Sequence, residues 1–277
     1  MELLITAEYR KILTTKLWWA LLIPAAVLSL AFTWGGAVIG TVADVSRSLR
    51  GTLPLALPGF AQGINYATVF ALILGGTAVT GEMRHKTITT SYLTASTRGA
   101  VLTAKLLVYS TFGALYGVVC MLAATLGALF GNNFPNGDDW FALAGVGVLA
   151  MVMWTLVGVG IGALMGNQVG TIVGAVVYVL VIEPILAIVL RTNDLGQIPP
   201  YLPNSSGSSM VSILSLDLFA SELPGSIRQN QQMMEEFRIV FGLTYSPEWW
   251  GSGLIFAAYA ILIGMIGWIV ARNRDIT

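Results

Sequence analysis

The chain has 277 residues, 56% of them hydrophobic and only 10% charged, with a mean hydropathy of +0.77. A soluble domain is about a quarter charged, so this composition excludes a water-facing surface and marks an integral membrane protein. Basic and acidic residues balance to a net charge of zero, which leaves no bulk attraction to nucleic acid.

Residues 1–16 place Ile5, Tyr9, Ile12 and Leu13 at helical spacing against Glu2, Glu8, Arg10 and Lys11. This pattern predicts an amphipathic helix lying in the headgroup region. The first span is expected from about Leu17 to Ile39, with Trp18 and Trp19 as interface anchors. Its apolar region is too long for a secretory signal and no Ala-x-Ala site closes it. A loop over 40–63 with Arg47, Arg50 and prolines comes next. The second span follows at about Ile64–Thr80, then a basic loop at 82–105, the third span at Leu106–Phe130 and a turn at Gly131–Asp139. Trp140–Met165 and Val169–Leu190 are the fourth and fifth spans, parted only by Gly166, Asn167 and Gln168. The sixth is expected at Gly251–Ala271. These runs are continuous and about twenty residues long, as a helix needs to cross hydrocarbon. A membrane β-barrel would alternate instead. The fold expected is therefore an all-α integral membrane protein, one domain over 1–277 with six transmembrane helices.

The segment 191–250 is long for a connection. Met210–Leu223 reads as one or two short helices dipping into the outer leaflet, and Ser226–Phe241 as a more polar helix. It is either a folded cap joining two spans or an outer gate over a path.

Six spans put both termini on one side. With that side cytoplasmic, it holds Arg10, Lys11, Lys16, Arg84, Lys86, Arg98, Lys105, Arg272 and Arg274, which include every lysine of the chain. The short outer loops carry only Arg47 and Arg50. Basic residues collect inside, so both termini are expected in the cytoplasm.

The chemistry-bearing residues are few. Cys120, the single cysteine, lies within an apolar run, and His85 is the single histidine. An intrachain disulfide and a multi-histidine metal site are both excluded. No Gly-Lys pair occurs, so the chain supplies no phosphate-binding P-loop for ATP. No zinc-protease helix or nucleophile elbow occurs either. Glu183 is the one ionisable side chain well inside a span, followed by Pro184, which can open the backbone ladder. Glu183 either lines a substrate or ion path or makes a structural hydrogen bond to a neighbouring helix. Gly158, Gly162 and Gly166, and Gly170 with Gly174, match the Gly-x-x-x-Gly pattern of close helix packing, within one chain or between chains.

The loop Gly81-Glu82-Met83-Arg84-His85-Lys86-Thr87-Ile88, followed by Leu93, Ser96, Arg98 and Lys105, resembles that of the membrane (permease) subunit of type 2 ABC transporters. Lys86 stands where the family usually has glycine, and Thr94-Ala95-Ser96-Thr97-Arg98 replaces its proline-containing turn. Ala7-Glu8-Tyr9-Arg10-Lys11 and Tyr201-Leu202-Pro203 are similar to actinobacterial members. The resemblance implies a permease, not an enzyme, in a bacterial inner membrane. It implies a second copy of the chain or a homologous permease, and a partner ATPase dimer that binds ATP and magnesium. It nominates Glu82, Arg84, Lys86 and Arg98 as the ATPase-coupling surface. Asn65, Tyr66, Thr68, Phe70, Tyr178 and Glu183 would face the translocation path, with export the expected direction. The rivals are an ion- or proton-coupled secondary transporter using Glu183, and a non-transporting membrane scaffold. No convincing inverted repeat supports the first of these.

Overall fold

The computed structural model describes residues 2–42, 54–85, 97–131, 134–223 and 231–273. Among them there is no strand, and the chain is an all-α bundle. Helix α1 spans Glu2–Thr14, α2 Leu17–Val42, α3 Ala56–Arg84, α4 Arg98–Ala128 and α5 Gly137–Met165. Helix α6, Gln168–Val177, runs through a π turn at Tyr178–Ile182 into α7, Glu183–Thr192. Helix α8 spans Pro203–Glu222, α9 Gln231–Val240 and α10 Trp249–Asn273. Among the described residues six helices are long and apolar enough to cross a membrane: α2, α3, α4, α5, the continuous α6–α7 unit and α10. The protein is multi-pass.

Helices α3 and α5 form the enclosed centre, while α2, α6–α7 and α10 leave most of their surface outward. The exposed large apolar residues of α6–α7 include Val173, Val181, Ile182 and Ile185. Such a face is stable only against hydrocarbon or another apolar surface. One end of the bundle, the basic end, gathers α1, Arg84, His85, Lys105 and Arg272; Trp268 lies against Gly99 there. The far end carries α8 and the start of α3.

Glycines set the closest helix approaches. A methyl at Gly75 would lie 2.0 Å from the Thr155 carbonyl oxygen, and one at Gly158 would lie 2.2 Å from that of Leu72. At Gly162 it would meet the Gly76 oxygen at 2.5 Å, and at Gly267 the Gly160 oxygen at 2.5 Å. The glycine pattern of α5 thus packs within the chain, against α3 on one side and α10 on the other. Gly170 and Gly174 meet only side chains, at 3.5 Å or more.

Several helix boundaries differ from the sequence reading. Helix α3 begins at Ala56, eight residues before its expected start. Pro58 falls in its first turn, where no N–H is needed, and Gly59 and Gly63 let α2 approach at Phe32 and Ser29. Helix α4 begins at Arg98 because the Thr97 hydroxyl accepts the Ala100 N–H at 3.1 Å. Residues 82–84 and 98–105, read as loop, are therefore helical, and 86–96 lie outside the described residues. The link from α5 to α6 is one residue shorter than expected: Gly166 and Asn167 part the two helices, and Gln168 opens α6. Gly166, at φ 64°, closes α5 through its N–H to the Gly162 oxygen. The Asn167 side chain then caps α6 by accepting the Gly170 N–H. Met210–Glu222 belongs to one twenty-residue helix, α8, with Leu223 as its C-cap, and this helix packs into the bundle against α3, α5 and α10.

Candidate functional site

At the basic end, α1 turns Glu8 and Ile12 inward. Lys105, two turns into α4, is only 2% exposed, and its ammonium donates to Glu8 Oε2 and to Glu82 Oε1, both at 2.7 Å. Lys11 donates to the other Glu8 oxygen at 2.7 Å and to Glu82 Oε1 at 2.6 Å. Two carboxylates and two ammonium groups thus alternate in a closed cluster of zero net charge. Burying ions is costly unless they are paired and hydrogen-bonded, and here each ammonium bridges both acids. Burial would lower the Lys11 pKa, but the hydrogen bonds that its ammonium donates to Glu8 and Glu82, with their charges, outweigh it and hold the amine above its ordinary 10.5. Tyr9 adds a second tie between α1 and α4, its hydroxyl 2.7 Å from Thr111 Oγ1 and its ring against Phe112.

The cluster fastens the amphipathic helix to the end of α3 and the start of α4, from which the 85–97 connection leaves. Beside it lies a recess of about 520 Å3 whose wall includes Lys11, Thr15, Glu82, His85 and Gln168. Arg84 is exposed and donates to Gln168 Oε1 at 3.2 Å, linking α3 to α6. Of the four residues nominated for a coupling surface, Arg84 is at the surface and Glu82 is mostly enclosed within the cluster. Lys86 and the Arg98 side chain lie outside the described residues.

Near the far end, Glu183 is fully buried. Pro184 has no N–H to give the Leu180 carbonyl, and the ladder relaxes there into the π turn, with the Glu183 N–H reaching Tyr178 O. The carboxylate accepts the Asn204 N–H at 2.9 Å, the Ser205 N–H at 2.6 Å and the Ser205 hydroxyl at 2.8 Å. Leu202, at the N-cap position of α8, offers no side-chain acceptor. Glu183 supplies that cap from another helix, and its charge faces the positive end of the α8 dipole.

Two cavities adjoin this cap. The first, about 400 Å3, is a polar cleft between α3, α7 and α8 whose wall includes Gln62, Asn65, Tyr66, Asn204, Ser208 and Ser212. Asn65 Nδ2 donates to Ser212 Oγ at 2.9 Å. The second, about 380 Å3, is an apolar slot between α5, α6 and α10, walled by Leu72, Trp154, Gly174, Tyr178 and Phe256 among others. Of the residues nominated for a path, Asn65 and Tyr66 meet in the cleft and Tyr178 stands in the slot. Thr68 is buried and donates to Asn65 O in its own helix, and Phe70 packs on the core. Neither of these lines either cavity, nor does Glu183, whose oxygens turn to α8.

The sequence reading missed the serine face of α8 and the partners of Glu82. Ser205, Ser208, Ser209 and Ser212 stand at i, i+3, i+4 and i+7, a polar helical stripe that was open to detection. The Glu8–Lys11 pair was visible at i, i+3. Its partners lie 71 and 97 residues away, beyond any local pattern. No protein-family model matches the chain and no curated protein matches it.

Proposed function

We propose that the chain is the permease subunit of an ATP-driven exporter of the type 2 ABC class, in a bacterial inner membrane with both termini cytoplasmic. A separate ATPase dimer binds ATP and magnesium, and a second permease copy or a homologous one completes the path. The observation that carries this reading is the fastening of α1 beside the α3–α4 connection by Glu8, Lys11, Glu82 and Lys105. A helix laid across the basic end and locked to two spans makes a stiff platform through which a soluble subunit can push or pull. Glu82 acts in it by positioning α1, and Arg84, Lys86 and Arg98 supply the contact. The excess of basic residues at this end supports its cytoplasmic placement. The lack of a Gly-Lys pair in the sequence supports an outside source of ATP hydrolysis. The capping of Glu183 by three donors weighs against a proton-cycling carboxylate there.

The test is photo-crosslinking in native cells from residues introduced at positions 84 and 86. A nucleotide-binding soluble protein is expected in the adduct, lost when membranes are treated with a competing purified ATPase subunit. Labelling of position 86 in intact cells by a reagent that cannot cross the membrane overturns both the orientation and the partner.

A further inference from the structure

The two cavities beside Glu183 differ in chemistry and are stacked along the bundle. The polar cleft meets α3 at Gln62, Asn65 and Tyr66, while the apolar slot meets it at Leu72. Seven residues of helix from Asn65 to Leu72 put the two levels about 10 Å apart, with the polar one nearer the far end. Val179 lines both, and at the start of α8 Pro203 faces the slot while Asn204 faces the cleft. The partition between them is thus one side chain and the first turn of α8.

The hydrogen-bonding capacity of the cleft defines its ligand. No carboxylate lines it, and Arg191 is its one cation among the described residues. Gln62 and Tyr66 make no side-chain hydrogen bond among the described residues. Asn65 Oδ1 and the Ser212 hydroxyl proton remain available beside their mutual bond. Such a mixed set of neutral donors and acceptors matches hydroxyls, which both give and accept, better than a multiply charged group. The slot below is walled almost wholly by carbon and has the volume of a typical small-ligand pocket.

We infer that the cleft and the slot together form a bipartite site for a single-chain amphiphile with a polyhydroxyl head. The sugar or polyol sits on Asn65 and the α8 serines, and the acyl chain points toward the membrane centre between Trp154, Tyr178 and Phe256. The capping of α8 by Glu183 holds the partition against which the junction of head and chain rests. As a substrate site this rests on the proposed export function, but binding itself does not require the ATPase.

The test uses the purified full chain in nanodiscs without ATPase or nucleotide. The probe is a monoacyl disaccharide lipid carrying a diazirine either on the sugar or at the chain end. Saturable labelling is expected at α8 and α3 from the head probe and at α5 and α10 from the chain probe. Gly174→Leu fills the slot from a position where an added carbon meets only Met165 Cε at 3.8 Å. It is expected to cut chain labelling at least fivefold. Asn65→Ala with Ser212→Ala is expected to cut head labelling similarly, with thermal unfolding of both variants near wild type. Equal competition by a free fatty acid, or labelling that does not saturate, overturns the site. Because no partner is present, loss of this result leaves the crosslinking test of the ATPase platform independent.

Discussion

Two buried carboxylate sites, at opposite ends of the bundle, solve one problem differently. At the basic end, Glu8 and Glu82 are neutralised by two lysine ammonium groups. Near the far end, Glu183 carries no cation partner among the described residues and is met by two backbone N–H groups and a hydroxyl. The first solution joins three helices by long side chains. The second joins a side chain to a backbone, and so fixes where a helix begins. Charge in a low-dielectric setting can be met by opposite charge or by oriented dipoles, and the choice decides what is held in place.

Removing the central cation tests the first solution hardest. Lys105→Ala leaves two enclosed acids sharing the half-exposed Lys11, and is expected to cost about 3–5 kcal/mol, read from chemical unfolding in detergent. Glu82→Gln added to Lys105→Ala is expected to recover most of that loss, since the excess buried charge is then gone. Failure to recover would mean that Lys105 acts through packing alone. Glu183→Gln challenges the second solution. One acceptor oxygen remains but the charge is lost, and about 1–3 kcal/mol is expected. Hydrogen exchange at the Asn204 and Ser205 amides should rise while that of α1 stays unchanged. Exchange rising at both ends would break the contrast. Lys11→Ala is a smaller change, because that side chain is 43% exposed and solvent screens it; less than about 1 kcal/mol is expected.

The smallest effect is on pH. The Lys11 amine is held above 10.5 in the folded protein. Its contribution is fully present below 10.5 and is lost as pH rises through the higher folded value. Protection of the α1 amides should therefore be flat from neutral pH to about 10, once corrected for intrinsic exchange, and fall beyond it. A fall near pH 7 would show that another group governs the docking.

The six spans were legible because hydropathy over about twenty residues is a direct reading of solvent preference. Helix ends were less so. Pro58, Gly59 and Gly63 carry loop signals by type, yet they lie within α3 because the proline is in the first turn and the glycines meet α2. Lys105 was read as the last charge of the basic loop at 82–105. It is buried because Glu8 and Glu82 come from distant sequence to meet it. Likewise α8 gains its acceptor cap from Glu183, about twenty residues earlier, so no capping residue announces its start at Pro203. Asn65 and Tyr66, nominated for a path through the resemblance, line the cleft, whereas Thr68 and Phe70 turn away on the same helix. A nomination by span does not resolve the face.

The glycine contacts between α3 and α5 have a mechanical consequence. Carbonyl oxygens of Leu72, Gly76 and Thr155 sit where methyl groups would otherwise be, so this seam is backbone on backbone. Sliding or tilting would drive main chains into each other. At Gly170 and Gly174 the nearest groups to α6 are side-chain atoms of Met165 and Asn167, its tightest approach to α3 is the Thr171 methyl on Gly76, and its ladder is already loosened at the π turn. Displacement of α6–α7 therefore meets less main-chain resistance than displacement of α3 against α5.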